Sequence, residues 1–218
     1  MQFCANDPDI LLSAAKYVEG NCDAVDINLG CPQGIARKGN YGSFLLEKTE
    51  LIVSMVKKLK EQLKVPVTCK IRCLPTEAET LYLAKEIEKA GASLLTVHGR
   101  TRDHNKGTVG PANYSIIKSI KKTLKIPVIV NGGISNFEDV EGALKYTNCD
   151  GVMSSESILE YPALFDNSQI YDLEKIALEY LDFYEKYPGE ATIKIARCHM
   201  HKFLHSGFTL HGHSDLRM

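Results

Sequence analysis

The sequence predicts an α/β protein built on a parallel sheet, and three observations carry that reading. Short apolar runs alternate with longer amphipathic stretches along the chain. The short runs are almost wholly apolar, as expected where helices cover one face of a sheet and packed side chains fill the other. A polar or glycine-rich cluster follows nearly every one of them, where α/β folds place their ligands.

Gln2–Ala5 reads as the first strand, followed by a helix over Pro8–Glu19 with Ile10, Leu11, Ala14, Ala15 and Val18 at helical spacing. Ala24–Asn28 is the second strand. The next helix spans Phe44–Leu63, with Leu45, Ile52, Met55, Val56, Leu59 and Leu63 on one stripe. Strands Val67–Ile71, Leu94–His98, Val128–Asn131 and Gly151–Ser154 then alternate with helices Thr76–Ala90, Tyr114–Leu124 and Phe137–Tyr146. Pro66 and Pro127, in Lys-Val-Pro-Val and Lys-Ile-Pro-Val, each end a helix and open a strand. Two further helices, Gln169–Tyr187 and Ala191–His205, have no strand between them, only Pro188-Gly189. They predict the start of a small helical domain, so the expected division is 1–166 and 167–218. Gly207–Met218 has no apolar period and is expected to fray.

Polar clusters at five strand ends favour a (β/α)8 barrel, whose active face is built there. An open doubly wound sheet also binds ligands at strand C-termini, so both architectures stay open on pattern alone. About six strands are present where a closed barrel takes eight. The expectation is therefore a barrel lacking about two N-terminal βα units. Such a chain would expose two sheet edges and is expected to fold poorly or to associate.

Composition narrows the classes. The chain has 218 residues, 44% hydrophobic and 24% charged, with a net charge of -1, which suits a globular protein and not a disordered one. No apolar run reaches about 18 residues, so no membrane-spanning helix is expected. Met1-Gln2-Phe3-Cys4 has neither the basic flank nor the apolar core of an export signal. Seven scattered cysteines predict reduced thiols in a cytoplasmic or nuclear setting. Cys69 and Cys73 lack a second pair at zinc spacing, and no metal site is expected. Walker A and Gly-x-Gly-x-x-Gly patterns are absent.

Cys31, in Asn28-Leu-Gly-Cys-Pro32, is either a thiol presented on a rigid turn or a buried core cysteine. Lys70 and Arg72 are snorkelling surface residues or buried cations that face an anion. His98, before Gly99, points into a barrel mouth or serves packing. Asn131-Gly-Gly133 and Ser154-Ser-Glu156 are phosphate-binding loops or plain strand-to-helix turns. Arg37, Lys38, Arg100, Arg102, His104 and Lys106 occupy loops on the same face, suited to RNA phosphate. A second basic region runs from Lys194 through Arg197, His199, His201, Lys202 and His205 to His211 and His213. His201 and His205 have metal-ligand spacing but no third ligand.

Five segments together resemble one family. Asp26-Ile-Asn-Leu-Gly-Cys-Pro32, Cys69-Lys-Ile-Arg72, Thr96-Val-His-Gly-Arg-Thr-Arg102, Pro127-Val-Ile-Val-Asn-Gly-Gly133 and Asp150-Gly-Val-Met-Ser154 occur in the order and spacing of tRNA-dihydrouridine synthases. Leu29-Gly-Cys-Pro-Gln33 and Gly151-Val-Met-Ser-Ser-Glu156 are similar to the eukaryotic 16/17-type branch, which acts in the tRNA D-loop. The resemblance implies an FMN-binding TIM barrel followed by a helical tRNA-binding domain. It implies NADPH as reductant, hydride transfer from reduced FMN to uracil C6, and protonation of C5 by Cys31. Gln2, Lys70, His98, Asn131, Gly132, Gly133, Ser155 and Glu156 match flavin-contacting positions. Arg37, Arg100 and Arg102 are expected to meet tRNA, and no protein partner is implied. Many relatives have Gly-Arg where this chain has Ser155-Glu156, which removes one cationic phosphate contact. The other readings are a different FMN-dependent barrel oxidoreductase acting on a free pyrimidine, and a non-catalytic RNA-binding fragment.

Overall fold

The computed structural model describes residues 1–104, 110–168, 171–189 and 191–205. Two compact units emerge: Met1–Gly133 with Glu141–Met153, and Ile134–Val140 with the chain from Ser154 onward.

The first unit is built on strands β1 (Gln2–Phe3), β2 (Val25–Leu29), β3 (Val67–Cys73), β4 (Leu94–Thr101), β5 (Val128–Asn131) and β6 (Gly151–Met153). All pair in parallel, in the order β1-β2-β3-β4-β5-β6. A doubly wound sheet reverses its order at a switch point. Here each strand lies beside the next in sequence, as in a barrel wall. The fold is α/β and TIM-barrel-like.

The helices are α1 (Pro8–Val18), α2 (Gly34–Gly39), α3 (Thr49–Gln62), α4 (Glu77–Lys89), α5 (Tyr114–Thr123) and α6 (Phe137–Thr147). Short polar side chains start several of them. Asp7 accepts from the amides of Asp9 and Ile10, Thr76 and Glu79 form a reciprocal capping box, and Asn113 accepts from Ser115 and Ile116. Such caps contribute about 1 kcal/mol each. One expectation needs correction. The stretch read as a single helix over Phe44–Leu63 is a 3-10 turn at Gly42–Leu45 and then α3. The six-residue α2 was not anticipated, because so short a helix leaves no apolar period.

Burial alternates strictly along β2 and β3. Val25, Ile27, Leu29, Val67, Cys69 and Ile71 are fully buried, while Asp26, Asn28, Thr68, Lys70 and Arg72 between them are half-buried. A period of two puts the apolar set on one face and the polar set on the other. Parallel register then lines up the polar set across strands. Asn28 pairs with Lys70 and Lys70 with Thr96; Arg72 pairs with His98, and His98 with Asn131. Helices α3, α4 and α5 lie against β3–β5, with Ile52, Met55, Val56, Leu59, Leu83, Ile87, Ile117 and Ile120 buried.

At the strand N-termini, carboxylates tie neighbouring loops together. Glu19 accepts from the Lys64 amide. Glu88 Oε1 accepts from the amides of Lys125 (2.6 Å) and Ile126 (3.0 Å). Asp150 Oδ2 accepts from the Val128 amide (2.7 Å) and from Lys121 Nζ (2.6 Å).

The second unit contains α7 (Ser157–Glu160), α8 (Leu173–Lys186) and α9 (Ile193–Phe203). The expected helix start at Gln169 lies outside the described residues. Tyr180 of α8 hydrogen-bonds His199 Nδ1 of α9 (2.8 Å) and packs edge-on against Phe203. Lys202 bridges Glu156 and Glu160 at 3.3 and 3.5 Å. Among the described residues no helix is long and apolar enough to cross a membrane.

Candidate active site at the strand C-termini

The turn after β2 holds Cys31 by its backbone. Asn28 Oδ1 accepts from the amides of Gly30 (3.0 Å) and Cys31 (3.1 Å), an Asx-turn that turns the chain out of the strand. The Cys31 carbonyl accepts from the amide (3.0 Å) and hydroxyl (2.9 Å) of Ser43. Gly42 makes that approach possible. Its φ is +64°, and a Cβ there would lie 2.8 Å from the Cys31 oxygen. Cys31 is half-exposed and is not part of the buried core.

A polar chain runs beneath it. Asn28 Nδ2 donates to Gln2 Oε1 (2.9 Å), Gln2 Nε2 donates to Asp26 Oδ2 (2.6 Å), and Thr68 donates to Asp26 Oδ1 (2.6 Å). Lys70 stands beside Asn28 in register. Desolvation and then the Arg72 charge push the Lys70 ammonium down to about 8, against a smaller upward pull from Asp26. Lys70 is therefore charged at neutral pH but holds its proton loosely.

Arg72 joins three segments. Its Nε donates to the Gly30 carbonyl (2.8 Å), and its Nη1 to the carbonyls of Thr101 (3.0 Å) and His104 (3.3 Å). Burial and the Arg100 charge pull its pKa down. Arg100 Nη1 lies 3.3 Å from His98 Nε2. A guanidinium only donates, so Nε2 accepts and the ring proton sits on Nδ1. Burial, then Arg72, Lys70 and Arg100, push the imidazole down to about 3. His98 is thus a neutral ring among three cations.

Beside it lies the Asn131-Gly-Gly133 turn. Gly132 (φ +105°) and Gly133 (φ +73°) have left-handed backbone, and a Cβ on Gly132 would come within 2.7 Å of the His98 ring. Tyr114 donates to the Gly132 carbonyl at 2.8 Å. Asn131 is 1% exposed. Its Nδ2 donates to the Met153 carbonyl (2.8 Å), while its Oδ1 has no donor among the described residues. A buried acceptor left so costs about 1–3 kcal/mol, which a bound donor would recover.

The structure places Cys31, His98, Asn131, Gly132 and Gly133 at or near the C-terminal ends of β2, β4 and β5, with Lys70 mid-strand in β3 and Gln2 at the start of β1, level with Asp26. Arg37 is exposed on α2. Arg100 is half-buried and donates to the Gly110 carbonyl (2.7 Å). Arg102 is paired with Glu47 at 2.9 Å. Ser155 and Glu156 belong to the second unit, where Glu156 pairs with Lys202. Lys106, His211 and His213 lie outside the described residues. The ring centroids of His201 and His205 are 5.9 Å apart, and the described residues gather no group of three His, Cys, Asp or Glu able to hold a metal. Asn28 was read only as part of the Cys31 turn, and Arg72 only as a cation with the same two readings as Lys70, so neither was assigned a place in the site. Signals for both were present: Asn two residues before Gly is an Asx-turn pattern, and Arg72 shares the face of Lys70 at a spacing of two.

The family model for dihydrouridine synthase (Dus) matches residues 1–207. The chain belongs to the dihydrouridine synthase family. It is 44% identical over 217 residues to a Mus musculus protein named tRNA-dihydrouridine(16/17) synthase [NAD(P)(+)]-like, covering 100% of this chain and 45% of that one. The Schizosaccharomyces pombe tRNA-dihydrouridine(16/17) synthase [NAD(P)(+)] is 41% identical over 228 residues, covering 100% of this chain and 57% of the relative. The Saccharomyces cerevisiae protein of that name is 47% identical over 178 residues, 81% of this chain and 42% of the relative. The chain thus spans about half the length of the curated relatives it matches. Among solved structures, a phosphonopyruvate hydrolase complex with oxalate and Mg++ superposes with a TM-score of 0.54 at 13% identity, over 86% of this chain and 63% of that one. An Amycolatopsis orientalis BexX/CysO complex gives 0.50 at 20% identity, over 86% and 68%. These two likenesses concern the fold alone.

Proposed function

We propose that the chain carries the catalytic part of a tRNA-dihydrouridine synthase, reducing the C5=C6 bond of a D-loop uridine with NADPH as reductant and FMN as flavin. The reading includes a barrel domain over 1–166, a helical tRNA-binding part over 167–218, and a cytoplasmic or nuclear setting. The observation that carries it is a turn-mounted cysteine, Cys31, whose turn is held by the half-buried Arg72, with the half-buried Lys70 on the same strand as Arg72, in a chain of this family.

The residues present fit a flavin. Asn131 offers a buried acceptor without a donor, the Gly132-Gly133 turn keeps backbone open beside His98, and Lys70, Arg72 and Arg100 outnumber Asp26. A site of that charge favours an anionic guest. Gln2, Lys70, His98, Asn131, Gly132 and Gly133, all of the first unit, would hold FMN. When bound, FMN supplies the hydride that saturates uracil C6.

The protein's own part is proton delivery and electrostatics. Saturating C6 leaves enolate-like charge at C5, and the Cys31 thiol holds the proton that C5 takes. Lys70 and Arg72 lower the cost of that charge, because they are already oriented and largely desolvated. His98 offers an Nδ1–H without adding a fourth charge. Arg37, exposed on α2, meets tRNA phosphate, and the target base leaves the stack to reach the site.

The test is to incubate the chain with tRNA, NADPH and FMN and quantify dihydrouridine by mass spectrometry of digested nucleosides, with Cys31→Ala as control. Cys31-dependent dihydrouridine supports the reading. Flavin-loaded protein that reduces free uracil but not tRNA would replace it with the free-pyrimidine alternative.

A further inference from the structure

Arg102 was expected to meet tRNA, yet its guanidinium is committed within the first unit. Nη1 donates to the Ser43 carbonyl (3.1 Å) and to Glu47 Oε2 (3.1 Å), and Nη2 lies 2.9 Å from Glu47 Oε1. The same group lies over the Phe44 ring, 5.1 Å from its centroid. These partners sit on the 42–47 segment, and Ser43 is the residue that donates twice to the Cys31 carbonyl. We propose that Arg102 is a positioning residue for Cys31: it reaches from the end of β4, clamps the Ser43 turn, and through Ser43 fixes the backbone that presents the thiol. This deepens the functional reading, since it names what holds the proposed proton donor.

Lysine cannot replace it. An ammonium can pair with Glu47, but it has no planar fork to serve a carbonyl and a carboxylate while stacking on an aromatic ring. The clamp therefore depends on the shape of the guanidinium as well as its charge.

The experiment measures thiol access and needs neither flavin nor tRNA, so it stands or falls apart from the proposed activity. The full chain is treated with iodoacetamide, and alkylation is followed cysteine by cysteine by peptide mass spectrometry. Arg102→Ala and Arg102→Lys are each expected to speed alkylation of Cys31 about three- to tenfold, the range for loss of one such hydrogen bond. Buried Cys69 should stay protected, which reports an intact fold, and exposed Cys198 should be unchanged. Ser43→Ala should reproduce the effect, and the Arg102→Ala/Ser43→Ala double variant should add little, because both remove one strut. Should Arg102→Ala unprotect Cys69, Glu47→Gln weakens the clamp from its half-exposed end and carries the same test. Unchanged Cys31 alkylation in folded Arg102→Ala or Glu47→Gln, or full rescue by Arg102→Lys, overturns the proposal. A loss of tRNA affinity in Arg102→Ala without any change at Cys31 would return Arg102 to the RNA-facing set.

Discussion

The two ends of the parallel sheet in the first unit use charge in opposite ways. At the strand N-termini, acid and base are matched. Lys121 faces Asp150, Lys16 faces Glu19, and both carboxylates also accept a backbone amide from a neighbouring segment, Val128 for Asp150 and Lys64 for Glu19. These contacts hold the carboxylates below their ordinary range, through hydrogen bonds from Lys121 and Val128 on Asp150 and from Lys64 and Lys16 on Glu19. At the C-termini Arg102 pairs with Glu47, but among the described residues no carboxylate forms a salt bridge with Lys70, Arg72 or Arg100. Lys70, Arg72 and Arg100 gather around one neutral histidine, and burial lowers the pKa of Lys70, Arg72 and His98 alike. Structure is stabilised where charge is cancelled. A site is marked where charge is kept, at a cost, for a partner that the fold does not supply.

That contrast makes a series of expectations. The largest is catalytic: Cys31→Ala should lower dihydrouridine formation by about 10²- to 10⁴-fold with little change in Tm, measured by nucleoside mass spectrometry and thermal melting. A large fall in Tm would make Cys31 a core residue instead. Next, Gly132→Ala puts a Cβ against the His98 ring on left-handed backbone. It should destabilise by about 1–3 kcal/mol and weaken flavin retention, read by visible absorbance of the purified protein. Glu88→Ala, at the opposite end, should cost about 1–2 kcal/mol by leaving two backbone amides without their acceptor. Its kcat should stay at the parent value, and a change in kcat would break the division of labour between the two ends.

The remaining expectation is in pH. His98 refuses a proton down to about pH 3, while the unfolded chain accepts one from its ordinary 6.5 downward. The unfolded state binds more protons in that window, so stability falls as pH drops through it. Glu19 and Asp150 have lowered folded-state values, so their contribution is full above the ordinary 4.5 and 3.8 and is lost only below them. The first loss of stability on acidification therefore belongs to the C-terminal end. Denaturant unfolding from pH 7 to pH 4.5 should show it in the parent chain, and His98→Asn should flatten it.

Much of this was legible from residues in order. The six strands and their connecting helices followed from period and proline placement, and Cys31, Lys70, His98 and Asn131-Gly-Gly133 were found because each follows an apolar run. Both are local properties of the chain. Residues 44–48 were misread as helix because Leu45 continues the stripe of α3, although the backbone leaves helical geometry at Lys48 (φ -104°, ψ 58°).

Strand order was beyond the sequence, since alternation suits both a barrel wall and a doubly wound sheet; hydrogen-bonded pairing between distant segments decided it. The commitments of the arginines were equally hidden. Arg37, Arg72, Arg100 and Arg102 are chemically alike in the sequence. Register put Arg72 beneath the Cys31 turn and Arg100 against His98, while a contact across more than fifty positions bound Arg102 to Glu47. A side chain's type sets what it can bond. Only the folded chain sets which partner comes within reach.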